Sequence, residues 1–327
     1  MVFKANLKKR LYDMPEWAID LFYFGYNRVK YPDLVEKKKR YGMLNPDSTF
    51  YVIRPRRDSV EGLMSLLLYV CEQISYAEKK GWIPVVDFQN YKTQYNCSDG
   101  KNSWEIFFKQ LNGQSLNAVY QSKKVVLSGI NASRKAESYF KEKSVKETDI
   151  KKVHALFEKY IQCSDEVERL LMQEKRKIVP ERSLGLYLRG TDYVKLRPTG
   201  EAVQPSIEQA LEVADKYMEQ FDLNKVFLVT EDAQVYEKVF EHYKEKLMIT
   251  SFDVFISKYS AKNFLAEDDA IKELGESPYT RGINYLTKIK LLSECKCIVG
   301  GKTCGSWAAC AFASSQTKKY IFELGNY

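Results

Sequence analysis

Arg189 and Asp192 stand in the stretch of this sequence most suited to chemistry. Leu184-Gly185-Leu186-Tyr187-Leu188 is a mostly apolar run that reads as a buried parallel strand, and Arg189-Gly190-Thr191-Asp192 is the polar loop at its end. In open α/β sheets, ligands sit just beyond the carboxyl ends of the strands. A guanidinium at that edge offers a planar fork to a phosphate or a carboxylate. Gly190 permits close backbone approach, and Thr191 and Asp192 add a hydroxyl and a carboxylate. The bland reading is an arginine in a structural ion pair, and residue type alone leaves both open.

Two further strand-end loops carry polar groups. Thr230-Glu231-Asp232 follows the apolar run Lys225–Val229. Thr230, Glu231 and Asp232 can either cap the next helix or face the same ligand as Arg189. Gly300-Gly301-Lys302-Thr303-Cys304-Gly305-Ser306 is a glycine-rich turn after Cys297-Ile298-Val299. It is not a P-loop, because Lys296 stands where that motif needs its first glycine. A glycine-rich turn feeding a helix still offers free N–H groups to an anion, with Thr303, Cys304 and Ser306 lining it. A fourth candidate is Arg54-Pro55-Arg56-Arg57-Asp58, three arginines between a strand and a helix. Asp58 and Glu61 have the spacing of a capping box there.

Composition removes several function classes. There are only two histidines, His154 and His242, so a histidine-based metal site or a Ser-His triad has almost nothing to work with. No metal site is expected. The seven cysteines, Cys71, Cys97, Cys163, Cys295, Cys297, Cys304 and Cys310, are odd in number and lack a zinc spacing. They read as buried free thiols in a reducing, cytoplasmic compartment. No apolar run approaches a membrane span. The net charge of +8, from 51 basic and 43 acidic residues, is mild, and no nucleic-acid motif accompanies it. Residues 1–28 are basic and aromatic, with Leu7, Leu11 and Met14 at helical spacing and Trp17, Leu21, Phe22 and Phe24 after Pro15. Such a segment lies either on its own domain or in a membrane interface at the inner face of the cell membrane.

The elements that must position these groups follow an α/β pattern. Phe50–Ile53, a buried helix over 59–80 and Ile83–Asp87 form one βαβ unit. Residues 90–116 are loop-rich, with a short helix at 104–111, and 137–177 is a charged helical connection. After 181, strands and helices alternate to the end, which implies a parallel sheet with helices on both faces. The expected organisation is a basic segment at 1–28, an N-terminal α/β domain with its helical connection at 29–180 and a C-terminal Rossmann-like domain at 181–327.

Taken together, three stretches resemble one family. Tyr187-Leu188-Arg189-Gly190-Thr191-Asp192-Tyr193 resembles the His-Val-Arg-Arg-Thr-Asp motif of the α-1,6-fucosyltransferase group, which includes nodulation fucosyltransferases and relatives of protein O-fucosyltransferases. Val226–Asp232 resembles its second motif and Leu291–Ser306 its third, in order and at matching spacing. The resemblance covers roughly residues 180–327 and implies a GT-B-like enzyme, two Rossmann-like domains with parallel sheets facing a cleft. It implies an inverting, metal-independent transfer of fucose from GDP-fucose to a glycan acceptor, free or lipid-linked, in cell-surface polysaccharide or glycoconjugate synthesis. By that resemblance Arg189 holds the donor pyrophosphate, Thr303 and Cys304 contact phosphate with Ser306 nearby, and Glu201 is the base. Glu201 lies on the loop 193–204, between the Arg189 strand and the Pro205 helix, and Asp192 is its rival for that role. Two positions depart from the pattern. Tyr187 replaces the motif histidine, and Lys288 stands where the group has its guanine-reading carboxylate. A lysine has only donors, whereas a carboxylate accepts from guanine. Another nucleotide-sugar donor, or a binding protein without chemistry, are therefore the alternatives.

Overall fold

The computed structural model describes residues 14–32, 35–56, 61–96, 99–129, 146–260, 265, 271 and 275–327. Most of the 1–28 segment's basic half, Arg57, Asp58, Cys97 and the start of the 137–177 connection lie outside the described residues.

In chain order the elements are helix α1 (Glu16–Lys30), strands β1 (Lys37–Lys39) and β2 (Leu44–Ile53), helix α2 (Leu63–Lys79), strand β3 (Ile83–Val86), helices α3 (Ser103–Phe107) and α4 (Leu116–Val119), and strand β4 (Ser122–Leu127). Helices α5 (Glu147–Tyr160) and α6 (Asp165–Ile178) follow. The second half holds β5 (Ser183–Tyr187), α7 (Asp192–Lys195), α8 (Ile207–Gln220), β6 (Lys225–Val229), α9 (Ala233–Tyr243), β7 (Leu247–Met248), α10 (Pro278–Glu294), β8 (Cys297–Gly301), α11 (Cys304–Phe312) and β9 (Lys318–Phe322).

The first sheet has the order β1-β4-β2-β3, parallel except for the edge strand β1. The second has the order β7-β6-β5-β8-β9 and is parallel throughout. Two parallel-rich α/β units facing a cleft are thus the architecture, as the family resemblance implied. The strands that the apolar runs marked, β2, β3, β5, β6 and β8, all form. β5 is buried at every position, which is why its sequence is an unbroken apolar run rather than an alternating one.

Local signals set most boundaries. Ser206 and Gln209 close a reciprocal capping box at α8. α6 carries Asp165, Glu166 and Glu168 in its first turn and Lys175, Arg176 and Lys177 in its last, which suits the helix dipole at both ends. α2 departs from expectation. It starts at Leu63 with Gly62 as N-cap. Glu61 pairs with Arg56 at 2.5 Å, and Asp58, its expected capping-box partner, lies outside the described residues. Strands β1 and β4 also have no counterpart in the sequence reading. β1 is Lys-Lys-Lys, and backbone pairing to Val125–Leu127 alone makes it a strand.

The two units share one core. Trp307, Ala308 and Cys310 of α11 are buried with Leu66, Val70 and Ile74 of α2 and with Val153 and Phe157 of α5. Gly282 of α10 lies under the Phe107 ring of α3, which leaves no room for a Cβ. The connecting helices α5 and α6 pack against α11 and α10. This packing fixes the cleft between the sheets.

Candidate nucleotide-sugar site

The sheet order locates the crevice. The chain runs β5, β6, β7 to one edge, then returns to place β8 on the other side of β5. The β5–β8 boundary is therefore a topological switch point, where the exit loops diverge and leave room for a ligand. Those loops are Leu188–Asp192 after β5 and Lys302–Gly305 after β8. They open into a cavity of about 620 Å³ lined by both halves of the molecule, a size ordinary for small-molecule sites.

Arg189 lies on the wall of this cavity and is mostly buried. Its Nη2 donates to Asp192 Oδ1 at 2.6 Å, and its Nε faces Glu231 Oε1 at 3.1 Å in an ion pair too bent for a hydrogen bond. Thr191 Oγ1 donates to the same Glu231 oxygen at 2.8 Å, and the Tyr193 ring stacks beneath the guanidinium. Burial pushes the Asp192 carboxyl up. Arg189 and the N–H groups of Leu265 and Tyr193 outweigh that and hold it below the usual aspartate range. Burial would also loosen the Arg189 proton, but Glu231 and Asp192 hold it. Arg189 is thus ion-paired and also faces the cavity, with its Nη1 edge uncommitted among the described residues. Gly190 is required by crowding, since a Cβ there would meet the Asp232 side chain at 2.6 Å.

On the β8 side, Thr303 caps α11. Its hydroxyl accepts from Ser306 N at 3.1 Å while Ser306 Oγ accepts from Thr303 N at 3.0 Å. The N–H groups of Cys304 and Gly305 in the first turn keep no acceptor among the described residues, as helix geometry requires. Thr303, Cys304 and Gly305 line the cavity.

Two expected ligand contacts belong to the scaffold instead. Ser306 is fully buried and also donates to Gly301 O at 2.7 Å, so its hydroxyl has nothing to offer a phosphate. Asp232 caps α9 by accepting from Gln234 N and Val235 N and is turned away from the cavity. Thr230 does line the cavity, beside Glu231. Arg54 and Arg56 after β2 are likewise held by the scaffold. Arg54 donates to Ser128 O, and Arg56 is held by Glu61 and lies over the Tyr69 ring.

Glu201 lines the cavity from the loop between α7 and α8. Its charge reaches both Tyr193 and Cys304, whose acid groups it pushes upward after burial has done so. The Cys304 thiol rises to about 12. The loop is pinned rather than free-standing: Gly200 N donates to Tyr327 O, Val203 N to Gly325 O, and Tyr327 N to Glu201 O. Lys288 also lines the cavity and pairs with buried Asp253 at 2.8 Å. Asp253 in turn accepts from Thr250 N and Oγ1, and Ser251 is tied to the buried Glu174 of α6. Tyr187 closes the back of the site, its hydroxyl 3.0 Å from that of Tyr285.

Tyr193 and Tyr285 are cavity residues to which the sequence assigned no role, and Glu231 was read only with its loop, Thr230–Asp232. Glu231 and Tyr193 lie within the strand-end motifs, so position after a strand end was the available signal. Tyr285 had none. Facing them, Glu61, Met64, Ser65 and Tyr95 form the N-terminal wall. His154 and His242 bond to Ala311 O and Asp215, away from the cavity. All six described cysteines are free thiols. Among the described residues, no group of three His, Cys, Asp or Glu is placed to hold a metal, and no helix is long and apolar enough to cross a membrane.

No protein-family model matches this sequence, and no curated protein does. Solved structures of low identity do. The fucosyltransferase NodZ from Bradyrhizobium is 13% identical with a TM-score of 0.45, over 81% of this chain and 94% of that one. POFUT1 in complex with GDP is 9% identical with a TM-score of 0.46, over 85% of this chain and 99% of that one. Arabidopsis thaliana FUT1, also with GDP, is 9% identical with a TM-score of 0.45, over 86% of this chain and 72% of that one. The chain is thus similar to structures of fucosyltransferases along most of its length.

Proposed function

We propose that this chain is an inverting glycosyltransferase that takes a nucleotide sugar at the β5–β8 crevice and transfers the sugar to a glycan. The observation that carries the proposal is the convergence of three groups on one cavity: the Arg189 fork, the open first turn of α11 and the Glu201 carboxylate. Arg189 and the N–H groups of Cys304 and Gly305 hold a diphosphate without a metal ion, as donors aimed at a leaving group whose charge grows when the glycosidic bond breaks. Glu201 takes the acceptor hydroxyl's proton as the anomeric carbon is attacked from the opposite face. Asp192, bonded to Arg189 and to two backbone N–H groups, orients the arginine rather than serving as base.

GDP-fucose is the donor that the motif resemblance names. A different donor is the second reading, favoured by Lys288: its ammonium is fixed by Asp253 and offers donors to the base, not acceptors. Calorimetric titration with GDP, UDP, dTDP and CMP separates the two. One nucleoside diphosphate is expected to bind with EDTA present as tightly as without it. Failure of all four to bind at millimolar concentration defeats the proposal, and binding that requires a divalent ion defeats its metal-free form.

The acceptor side of the proposal includes a membrane surface. Trp17 (71% exposed), Leu21 (66%) and Phe24 share one stripe of α1 with Arg28, and Val29 is 86% exposed beside it. Lys38, Lys39 and Arg40 are exposed soon after in the chain. Apolar side chains with basic neighbours suit an anionic lipid interface. Sedimentation with anionic vesicles is expected to carry the full chain down, and a form lacking residues 1–30 to stay in solution. Equal partitioning refutes the membrane contact.

A further inference from the structure

We infer that Tyr187 and Tyr285 act together as an uncharged donor to an oxygen of the bound diphosphate, an inference that rests on the nucleotide-sugar reading. Tyr187 is the last residue of β5, two before Arg189, and Tyr285 projects from α10. Their hydroxyl oxygens are 3.0 Å apart, although the residues are 98 positions apart in sequence. Both oxygens lie over Gly305 in the first turn of α11. A Cβ there would strike both, at 2.6 Å from the Tyr187 oxygen. The pair therefore sits where the β5 loop, the β8 loop and α10 meet.

Counting protons gives the pair its function. Two phenols carry two O–H donors. One is spent between them, whichever way it points, and the other has no acceptor among the described residues. The groups flanking this end, the Arg189 guanidinium and the N–H groups of Cys304 and Gly305, are donors as well. The missing partner must then be an acceptor-rich ligand group, and a diphosphate is that. Burial pushes the Tyr285 phenol upward, and the neighbouring Tyr187 adds to it, so the proton stays available at neutral pH. Arg189 is already shared with Asp192 and Glu231. Neutral donors are what such a site can add without burying another charge.

The test is calorimetry of the full chain with GDP, inorganic pyrophosphate and guanosine. The Tyr187→Phe/Tyr285→Phe double variant keeps both rings and removes both hydroxyls. It is expected to lose roughly 10- to 100-fold in affinity for GDP and for pyrophosphate, the range for hydrogen bonds to charged groups. Guanosine binding should be unchanged. The single variants assign the phenol that touches the ligand, as the one whose loss is larger. Gly305→Ala displaces both oxygens with the tyrosines intact and should weaken pyrophosphate in the same direction. Wild-type affinity of the double variant for GDP and pyrophosphate overturns the inference, as does an equal loss for guanosine. If the wild-type chain binds neither pyrophosphate nor any of GDP, UDP, dTDP and CMP, the nucleotide-sugar reading itself fails and takes this inference with it.

Discussion

At the scale of single residues, the site depends on groups that hold one another in place. Arg189 keeps its orientation through Asp192 and Glu231, yet retains an edge for an anion. Glu201 differs in kind. Its backbone is held by residues 325–327, while its carboxylate faces the cavity with no hydrogen bond or ion pair among the described residues. That suits a group that must meet a substrate hydroxyl. Glu201→Gln is therefore expected to bind nucleotide normally and lose about 10²–10⁴ of the transfer rate, the usual span for general acid–base catalysis. Steady-state kinetics beside a binding titration checks this. If Glu201→Gln transfers at the parent rate while Asp192→Asn does not, the base is Asp192.

At the scale of elements, the sequence was most legible where burial dominates. β5, β6 and β8 are unbroken apolar runs ending in polar loops. β1 and β4 were hidden because lysines interrupt them and pairing with neighbours supplies the strand. Asp232 and Ser306 show the opposite failure. Their types and positions fit a ligand and a cap equally, and only the geometry shows that the helices α9 and α11 have claimed them. Tyr285 was out of reach, since its partner is set by helix packing rather than local pattern. Gly190 tests how tightly the elements are matched. Gly190→Ala should cost about 1–3 kcal/mol, the usual range for overpacking, because the Cβ presses on the side chain that caps α9. Urea denaturation measures it, and a stability within a few tenths of the parent shows that the loop can yield.

For the whole molecule, the shared core is what makes two sheets one site. α11 contributes its N-terminus to the cavity and Trp307 to the core with α2, so the cavity-facing turn is braced by the other unit. α10 carries Tyr285 and Lys288 to the cavity and meets α3 through Gly282. The central claim is that this braced cleft stabilises a nucleoside-diphosphate leaving group through Arg189. Turnover of GDP-fucose by the parent chain and by Arg189→Lys, read as release of GDP, tests it most directly. Lysine keeps the charge and loses the fork. A folded variant whose rate falls about 10²–10³-fold is expected, as for loss of a preorganised donor set. An unaltered rate in Arg189→Lys would contradict it and leave Arg189 as a structural ion pair.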